Sequence, residues 1–590
     1  MPHAPQGSPC SREHSRIETE RDDTEATLRG VHVVTTAQEE PSKGTRPLTQ
    51  SSEICKRCRC QWRWYHGLLL CFTVLILIAL LLLVVTVAIT CKVHVKNKER
   101  ETAMSANVDE QRARYEAAGQ GHVFRFWEQL SQGQRDTLLS QLKDIDPEEV
   151  GRSYRAMQRG QGESEAPEDV KPVPEDAFGS MLRSPASLLS QWEKQGLEQI
   201  AEGRMAVLLL AGGQGTRLGM SCPKGMVSVG LPSGKSLFQL QAERIRALQR
   251  LAGTAKPVPW YIVTSAHTHV PTEAFFREHA WFGLDPDSVR FFQQGQLPAL
   301  TVSGKIILQD KGLIAMAPNG NGGVYRALSS SGALADMQAR GVRHVHTYCV
   351  DNVLVRVGDP AFLGFCIHKN ADCGAEVVEK VDPTEPVGVV CRVGDHYRVL
   401  EYSEISSELA SRRDTHGRLE FSAASICNHY FSVDFLQEVV RQYEPQMLYH
   451  VAHKKVGYVD DEGRPVAPDK PNGIKMEKFI FDVFPFSKNF AVFEVLREDA
   501  FSPLKNADKP GQVDCPSTAR KAVYILHAHW VEKAGGHVSR FVTSSSLLLL
   551  LAWRGSGGVV CEISPLVSYA GEALQERVKG KTFPSPFVLD

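Results

Sequence analysis

Two basic side chains and one carboxylate carry the chemistry that this sequence is equipped to do. Arg217 lies inside the run Ala211-Gly212-Gly213-Gln214-Gly215-Thr216-Arg217-Leu218-Gly219, and Lys224 follows in Pro223-Lys224. Asp351 stands in Tyr348-Cys349-Val350-Asp351-Asn352. Glycines accept positive φ and let a ligand come close to the backbone, so consecutive N–H groups can face one concavity. Such a nest suits phosphate oxygens, and a guanidinium with an ammonium supplies the countercharge that a polyphosphate demands. A strand-end aspartate could hold a magnesium ion, which needs only one or two carboxylates when phosphates complete its shell. These groups suit nucleotidyl transfer, in which an oxygen nucleophile attacks the α-phosphorus of a nucleoside triphosphate and expels pyrophosphate in line. Position and charge stabilisation do most of that work.

The loop must be launched from something rigid. Ala206–Leu210 is an uninterrupted apolar run bounded by glycines, which reads as a buried strand feeding a tight turn. A dinucleotide fingerprint would need G-x-G-x-x-G, but Gly213 and Gly215 are followed by Leu218, with glycine returning only at Gly219. A P-loop would need four residues between its glycines. Gly230-Leu231-Pro232-Ser233-Gly234-Lys235-Ser236 has three and follows no clear strand, so it reads as a decoy. Phe238, Ala242, Ile245, Leu248 and Leu251 then mark an amphipathic helix. Trp260–Thr264 reads as a second strand, and Val345–Val350 as a third with Asp351 at its end. Strands alternating with helices predict an α/β fold with a doubly wound, mostly parallel mixed sheet. Ligands of such sheets bind beyond the carboxyl ends of the strands, where the loop and Asp351 would both lie.

The chain has 590 residues, with 67 basic and 68 acidic side chains and a formal charge of −1. That balance argues against nonspecific nucleic-acid binding, so phosphorylated substrates must be met by local positive charge. The expected organisation is a disordered polar tail over 1–66, a transmembrane helix over 67–91, a helical N-terminal region over 104–200, a catalytic domain over 201–500 and a smaller α+β C-terminal domain over 501–590. Gly67–Cys91 carries no charge, and its Leu, Ile, Val and Phe side chains each favour insertion by roughly 0.3–0.6 kcal/mol. It is too long for a signal-peptide core, and a single spanning helix is the expectation. Basic residues on both flanks balance, so orientation is not readable. Cys55, Cys58 and Cys60 beside it lack a fourth zinc ligand and suit palmitoylation. Val123, Phe126, Trp127 and Leu130 recur at helical spacing, and Ser131 with Gln134 reads as a capping box opening another helix. Gly160–Pro174 reads as a surface linker. The later cysteines read as small core residues or idle thiols, with no nucleophile among them.

The string L-x-G-G-x-G-T-R-L-G followed by P-K resembles the sugar-nucleotide pyrophosphorylases, and the chain is most similar to the eukaryotic UDP-N-acetylhexosamine pyrophosphorylase family. The resemblance runs from about Ala106 to Pro586. It also rests on Met316-Ala317-Pro318 with Gly320-Asn321-Gly322-Gly323, on the strand ending at Asp351-Asn352, and on Val399–Ile405, Pro471–Phe481, Phe501–Asp508 and Cys561–Glu572. It implies a nucleotide-diphospho-sugar transferase fold and the conversion of UTP and an N-acetylhexosamine 1-phosphate (glucosamine or galactosamine) into the UDP-sugar and pyrophosphate, with Mg²⁺ or Mn²⁺.

By the same resemblance, Leu210, Ala211, Gly212, Gly213, Gln294 and Gly320 match uridine-nucleotide contacts, and Gln294 could read the uracil edge. Asn321, Glu401 and Tyr402 match sugar contacts, and Lys475 and Lys505 match phosphate-binding lysines. Arg217, Lys224 and Lys475 are then the catalytic set, and Asp351 the metal ligand. The chain departs from the family where N-A-G-N-I is usual, reading Ser422-Ala423-Ala424-Ser425-Ile426, and at Asn319, where aspartate is common. Val538–Val560 is also unlike the family. These departures keep two rivals open: a membrane-tethered homologue with weak or no turnover acting as a binding or scaffold protein, and a pyrophosphorylase for a plain hexose 1-phosphate. The anchored form would keep its catalytic part in the cytosol, where the family's substrates are made. The match begins near Asn107, so 1–103 reads as an added anchor or as a product of how the reading frame was assembled, and without it the protein would be cytosolic.

Overall fold

The apolar run before the glycine loop is a strand, Met205–Leu210, with all six residues buried. In the computed structural model, residues 53–160, 169–447, 449–539 and 559–590 are described. The strand belongs to an 11-stranded sheet. In chain order its strands are β1 (Val170–Lys171), β2 (Phe178–Ser180), β3 (Met205–Leu210), β4 (Trp260–Thr264), β5 (Val289–Gln293), β6 (His344–Cys349), β7 (Cys373–Glu379), β8 (Val389–Val393), β9 (His396–Leu400), β10 (Ala423–Ser432) and β11 (Phe490–Val495). Across the sheet the order is β2-β11-β7-β10-β6-β3-β4-β5. Along this order neighbours run parallel except at β10, which is antiparallel to both β7 and β6, while off it β8 pairs antiparallel with β1, β9 and the start of β10. From β3 the chain winds outward through β4 to β5, then returns to lay β6 on the other side of β3. That reversal is a topological switch point, the place where open α/β sheets take ligands.

Successive side chains of β3 point to opposite faces. Met205, Val207 and Leu209 join one core with Trp192, Phe238, Leu248 and Phe365. Ala206, Leu208 and Leu210 join a second with Tyr325, Leu328, Met337 and Phe484. Burial on both faces is why the strand reads as a continuous apolar run without alternation. The first face is covered by helices α4 (Ala186–Ala201), α5 (Leu237–Leu251) and α9 (Pro360–His368), and α6 (His269–Glu278) joins them through Phe276. The second carries α7 (Val324–Ser330) and α8 (Ala333–Ala339). Ser236 caps α5 by accepting from the Gln239 N–H, and Leu251 at its far end is exposed, so the expected apolar stripe stops at Leu248.

Two units are distinguished, Met1–Glu101 and Thr102–Asp590. Helix α1 is assigned over Glu53–Ala117 and includes the 26-residue apolar stretch Gly67–Lys92, none of it buried within the protein. The part of the expected disordered tail at 53–66 is therefore helical, and 1–52 lies outside the described residues. In the second unit, Val123, Phe126, Trp127 and Leu130 are all buried, but not on one helix. The chain folds there into two short 3₁₀ turns, Gly121–Phe124 and Trp127–Gln129, whose period of about three still returns the side chains to one face. Next come α2 (Gln132–Asp144) and α3 (Pro147–Gly160). As expected, Ser131 opens α2, its N–H donating to Gln134 Oε1 at 3.0 Å. The linker's centre, 161–168, lies outside the described residues, as do 540–558 of the stretch that departs from the family.

Helices α4 and α9 meet through a pair of glycines. A Cβ on Gly196 would stand 2.0 Å from the Pro360 carbonyl oxygen, and one on Gly364 would stand 1.8 Å from that of Trp192. The obstacle is backbone, so a methyl group must push the helices apart. Gly364→Ala should destabilise the protein by about 1–3 kcal/mol and lower its thermal midpoint by several degrees; an unchanged midpoint in a melt monitored by circular dichroism would show that the helices can slide.

Candidate active site

The glycine loop leaves the C-terminal end of β3 and is held by its own backbone. The Ala211 N–H donates to the Val263 carbonyl at 2.8 Å, extending the β3–β4 ladder by one step. The Gly215 N–H donates to Cys222 O at 3.1 Å and the Lys224 N–H to Gly213 O at 3.2 Å, which ties the end of the loop to its start. Only Gly219 has positive φ, at 77°. Of the two uses expected of the loop glycines, positive φ thus applies at Gly219, and close approach at Gly212 and Gly215. A Cβ on Gly212 would lie 3.1 Å from the Gln294 amide oxygen, and one on Gly215 would lie 3.0 Å from the Cys222 carbonyl. Gly213 faces open space and is exposed.

Lys224 meets Asp351 across the switch point. β3 and β6 are paired parallel with Leu210 beside Cys349, so the segments that leave them emerge side by side. The Lys224 ammonium lies 3.3 Å from Asp351 Oδ2, both side chains about one-fifth exposed. Asp351 is held from behind: its carbonyl accepts from the Leu504 N–H at 2.8 Å, and buried Asn352 binds Ala500 O and the Ser502 N–H. The string Phe501–Asp508 thus docks against the end of β6. It also reaches the loop, because the Ala507 N–H donates to Arg217 O at 3.2 Å. The Arg217 side chain is exposed and makes no ion pair among the described residues. Its backbone, not its guanidinium, is tied to the segment that also holds Asp351.

Gln294 and Gly320 complete this side. The segment Asn319–Gly323 packs onto the chain at Lys478: a Cβ on Gly320 (φ 80°) would stand 2.2 Å from the Lys478 carbonyl, and the Gly322 N–H donates to that oxygen at 2.8 Å. Asn319 N–H reaches Gly295 O, joining this segment to the Gln294 turn. Asn321 Oδ1 accepts from the Ile480 N–H at 2.9 Å. Lys475 lies on the strand Gly473–Glu477, between buried Ile474 and Met476, on the face shared with Glu477. The Glu477 Cβ is among the atoms nearest Gly320, so that face borders the Asn319–Gly323 segment. Lys475 has no ion-pair partner among the described residues.

The expected sugar-binding residues gather beside a charged cluster that sequence reasoning missed. Burial, then the charge of Glu404, raises the Glu401 carboxyl above the ordinary carboxylate range, while His450 and Lys505 pull the other way. His450 stacks on Phe479 and bonds Asp482 at 2.8 Å. Burial acts to lower its pKa, but the Asp482 bond and the charges of Asp482, Glu404 and Glu401 outweigh it, so the ring is held above its ordinary value. Tyr402 is exposed. Lys505 lies 4.0 Å from Asp514. The Ser425 N–H donates to Gly388 O, and a Cβ on Gly388 would meet Glu401 Oε1 at 3.0 Å, so the Ser425 departure sits one residue from Glu401. No local motif joins His450 to Asp482, 32 positions on.

Cys349 and Cys427 were also missed as a pair. Cys349 Sγ donates to Cys427 Sγ at 3.2 Å, and the Asn321 amide reaches Cys427 Sγ at 3.9 Å. That bond from Cys349, with help from His429, lowers the Cys427 thiol and raises its partner. The decoy glycine segment, in contrast, is structural. Lys235 is spent on buried Glu243 at 2.8 Å and on Ser564, and Ser233 on Glu562.

A profile of the UTP–glucose-1-phosphate uridylyltransferase family matches residues 152–541. A UDP-N-acetylhexosamine pyrophosphorylase-like protein 1 of Xenopus tropicalis is 53% identical over 505 residues, covering 83% of this chain and 98% of its own. A UDP-N-acetylglucosamine diphosphorylase 2 of Arabidopsis thaliana is 45% identical, covering 79% and 91%. Among solved structures, the uridine diphosphate N-acetylglucosamine pyrophosphorylase of Trypanosoma brucei, in complex with an inhibitor, superposes with a TM-score of 0.68. It is 30% identical over 80% of this chain and 94% of its own.

The His450–Asp482 contact has a pH signature. A histidine whose folded pKa is raised stabilises fully below its unfolded value, about 6.5, and loses that contribution as pH rises through the folded value. His450→Gln should therefore cost on the order of 1 kcal/mol near pH 5.5 and much less near pH 9. Melts of both proteins at the two pH values check this; an equal cost at each would mean that the ring is neutral throughout.

Proposed function

The chain belongs to the UTP–glucose-1-phosphate uridylyltransferase family, and from that membership we propose that it makes UDP-N-acetylglucosamine and pyrophosphate from UTP and N-acetylglucosamine 1-phosphate. UDP-N-acetylgalactosamine is the epimeric product of the same chemistry. The observation that carries this reading is the Lys224–Asp351 pair, 3.3 Å apart, where the loop after β3 meets the end of β6.

The backbone of Ala211–Gly213 lines the nucleotide side, where the absence of a Cβ on Gly212 leaves room for Gln294 beside a uracil edge. Arg217 and Lys475, with no ion-pair partner among the described residues, are available to triphosphate oxygens, and Lys224 stands where negative charge builds on the leaving pyrophosphate. Asn321, Glu401 and Tyr402 hold the sugar, and Lys505 its phosphate. The sugar phosphate oxygen then attacks the α-phosphorus opposite the β-phosphate oxygen that leaves.

Among the described residues no group of three acidic, histidine or cysteine side chains could cage a metal. That suits magnesium, which takes one or two carboxylates and leaves most of its shell to phosphates and water. Asp351, whose Oδ2 is shared with an ammonium, fits this role for Mg²⁺ or Mn²⁺. The ion would neutralise charge across the phosphate oxygens when bound. Lys224→Ala should lower kcat/KM about 100- to 1000-fold, read as pyrophosphate release with UTP and N-acetylglucosamine 1-phosphate. A rate within fivefold of the parent's would remove Lys224 from the phosphate site. A folded parent that binds UTP and turns over no sugar phosphate would favour the scaffold reading instead.

The apolar stretch Gly67–Lys92 is long enough to cross a bilayer, and we assign it as a single tether for a catalytic unit on the cytosolic side. The protein should then stay in the membrane pellet after alkaline carbonate extraction of cells expressing it. Release into the supernatant would show that the stretch does not anchor it.

A further inference from the structure

Cys349 and Cys427 meet where two antiparallel strands end their pairing. The β6–β10 register pairs Val345 with Phe431 and Thr347 with His429, with Cys349 two residues beyond on β6 and Cys427 two residues before on β10. Their sulfurs are in contact, 3.2 Å apart. The β10 strand is irregular here. Against β7, Glu376 pairs with Asn428 but Val377 with Ser425, leaving Ile426 and Cys427 as a bulge, and Cys427 has φ 57°. The bulge turns the Cys427 side chain out of the regular pleat, and the two sulfurs lie 3.2 Å apart as free thiols, each partly exposed.

We propose that Cys349 and Cys427 form a reversible disulfide, a modification site beside the nucleotide cleft, with hydrogen peroxide as the oxidant. The Cys427 sulfur attacks one peroxide oxygen, the O–O bond breaks, and the products are a sulfenic acid on Cys427 and water. The Cys349 sulfur then attacks the sulfenic sulfur, the S–S bond forms, and the hydroxyl leaves as a second water. Two thiols and one peroxide thus give one disulfide and two waters, with two electrons passing from sulfur to oxygen. The bond needs a sulfur separation of about 2.05 Å, so the sulfurs must approach by about 1.2 Å from their present 3.2 Å, by side-chain rotation, strand movement or both. Cys349 is two residues before Asp351, and Cys427 receives the Asn321 amide. Closing the bond therefore repositions two sulfurs, one two residues from Asp351 and one in contact with the Asn321 amide. The scattered disposition of the other core cysteines offers no comparable partner for either sulfur among the described residues.

The effect on turnover rests on the uridylyltransferase reading; the cross-link does not. The full chain, purified in detergent and reduced, would be treated with hydrogen peroxide, alkylated and digested. The expected result is one cross-linked peptide pair containing Cys349 and Cys427, and at least a tenfold fall in pyrophosphate release that dithiothreitol reverses. Cys349→Ser and Cys427→Ser should each keep most of their own untreated rate after peroxide. Both thiols remaining open to alkylation would overturn the proposal. A cross-link that leaves the rate unchanged, or an equal fractional loss in the serine variants, would establish or leave standing the disulfide by its peptide masses but overturn its effect on turnover. Should a serine variant misfold, the cross-link and the dithiothreitol recovery in the parent still decide. A reduced parent with no turnover on any sugar phosphate would count against the enzyme reading, while the peptide masses separately establish or exclude the disulfide.

Discussion

The geometry of the cleft depends on one constraint: β3 and β6 are hydrogen-bonded neighbours although 133 residues separate Leu210 from the start of β6. Because the chain goes outward from β3 and comes back on its other side, no crossover covers the space above this strand pair. Two segments with no sequence relation therefore emerge side by side. One brings an ammonium and a row of amides, the other a carboxylate. Lys224 and Asp351 meet at 3.3 Å only because the parallel register holds Leu210 beside Cys349.

Small residues make this close meeting feasible, but for different reasons at different points. At Gly219 the backbone is left-handed. At Gly212 the requirement is space, since a Cβ would stand 3.1 Å from the Gln294 amide, and at Gly320 both apply, since φ is 80° and a Cβ would stand 2.2 Å from the Lys478 carbonyl. Composition alone cannot separate these roles. Both appear in sequence as glycine, and the difference lies in which distant segment packs against the position.

What could be read from the sequence follows the same division. β3, α5 and β4 were readable because their signal is local: a two-sided apolar run, a stripe at helical spacing, a short apolar segment between turns. The parallel sheet followed from their alternation. Val123–Leu130 misled because 3₁₀ turns return side chains to one face almost as an α-helix does. The adjacency of Lys224 and Asp351 could be anticipated because both follow motifs at the ends of strands of one sheet. That of Glu404, His450 and Asp482 could not, because their contact joins three separate segments and each residue taken singly looks like an ordinary surface charge. Cys349 and Cys427 passed as small core residues for a related reason. Their pairing is set by the register of β10 on β6 and by a bulge, neither of which has a signature in one chain's sequence.

The distribution of positive charge explains how a nearly neutral protein can receive a polyanion. Its formal charge of −1 supplies no general attraction, so attraction must come from cations that the fold leaves unneutralised. Lys235 is matched by Glu243, and Lys478 by Glu444 at 2.9 Å, each pair nearly buried and oriented to hold structure together. Arg217 and Lys475 have no such carboxylate among the described residues, and Lys224 shares only the carboxylate assigned to the metal. A lysine already paired to a buried acid gains little from a phosphate, because that contact would leave the acid unsatisfied in a medium of low polarity. An exposed guanidinium or an unpaired ammonium exchanges only water. On the proposed function, the charges that bind substrate are thus the ones the core does not use: Lys235, in a segment that imitates a phosphate loop, is taken up by Glu243, and Lys224 is left to the phosphates.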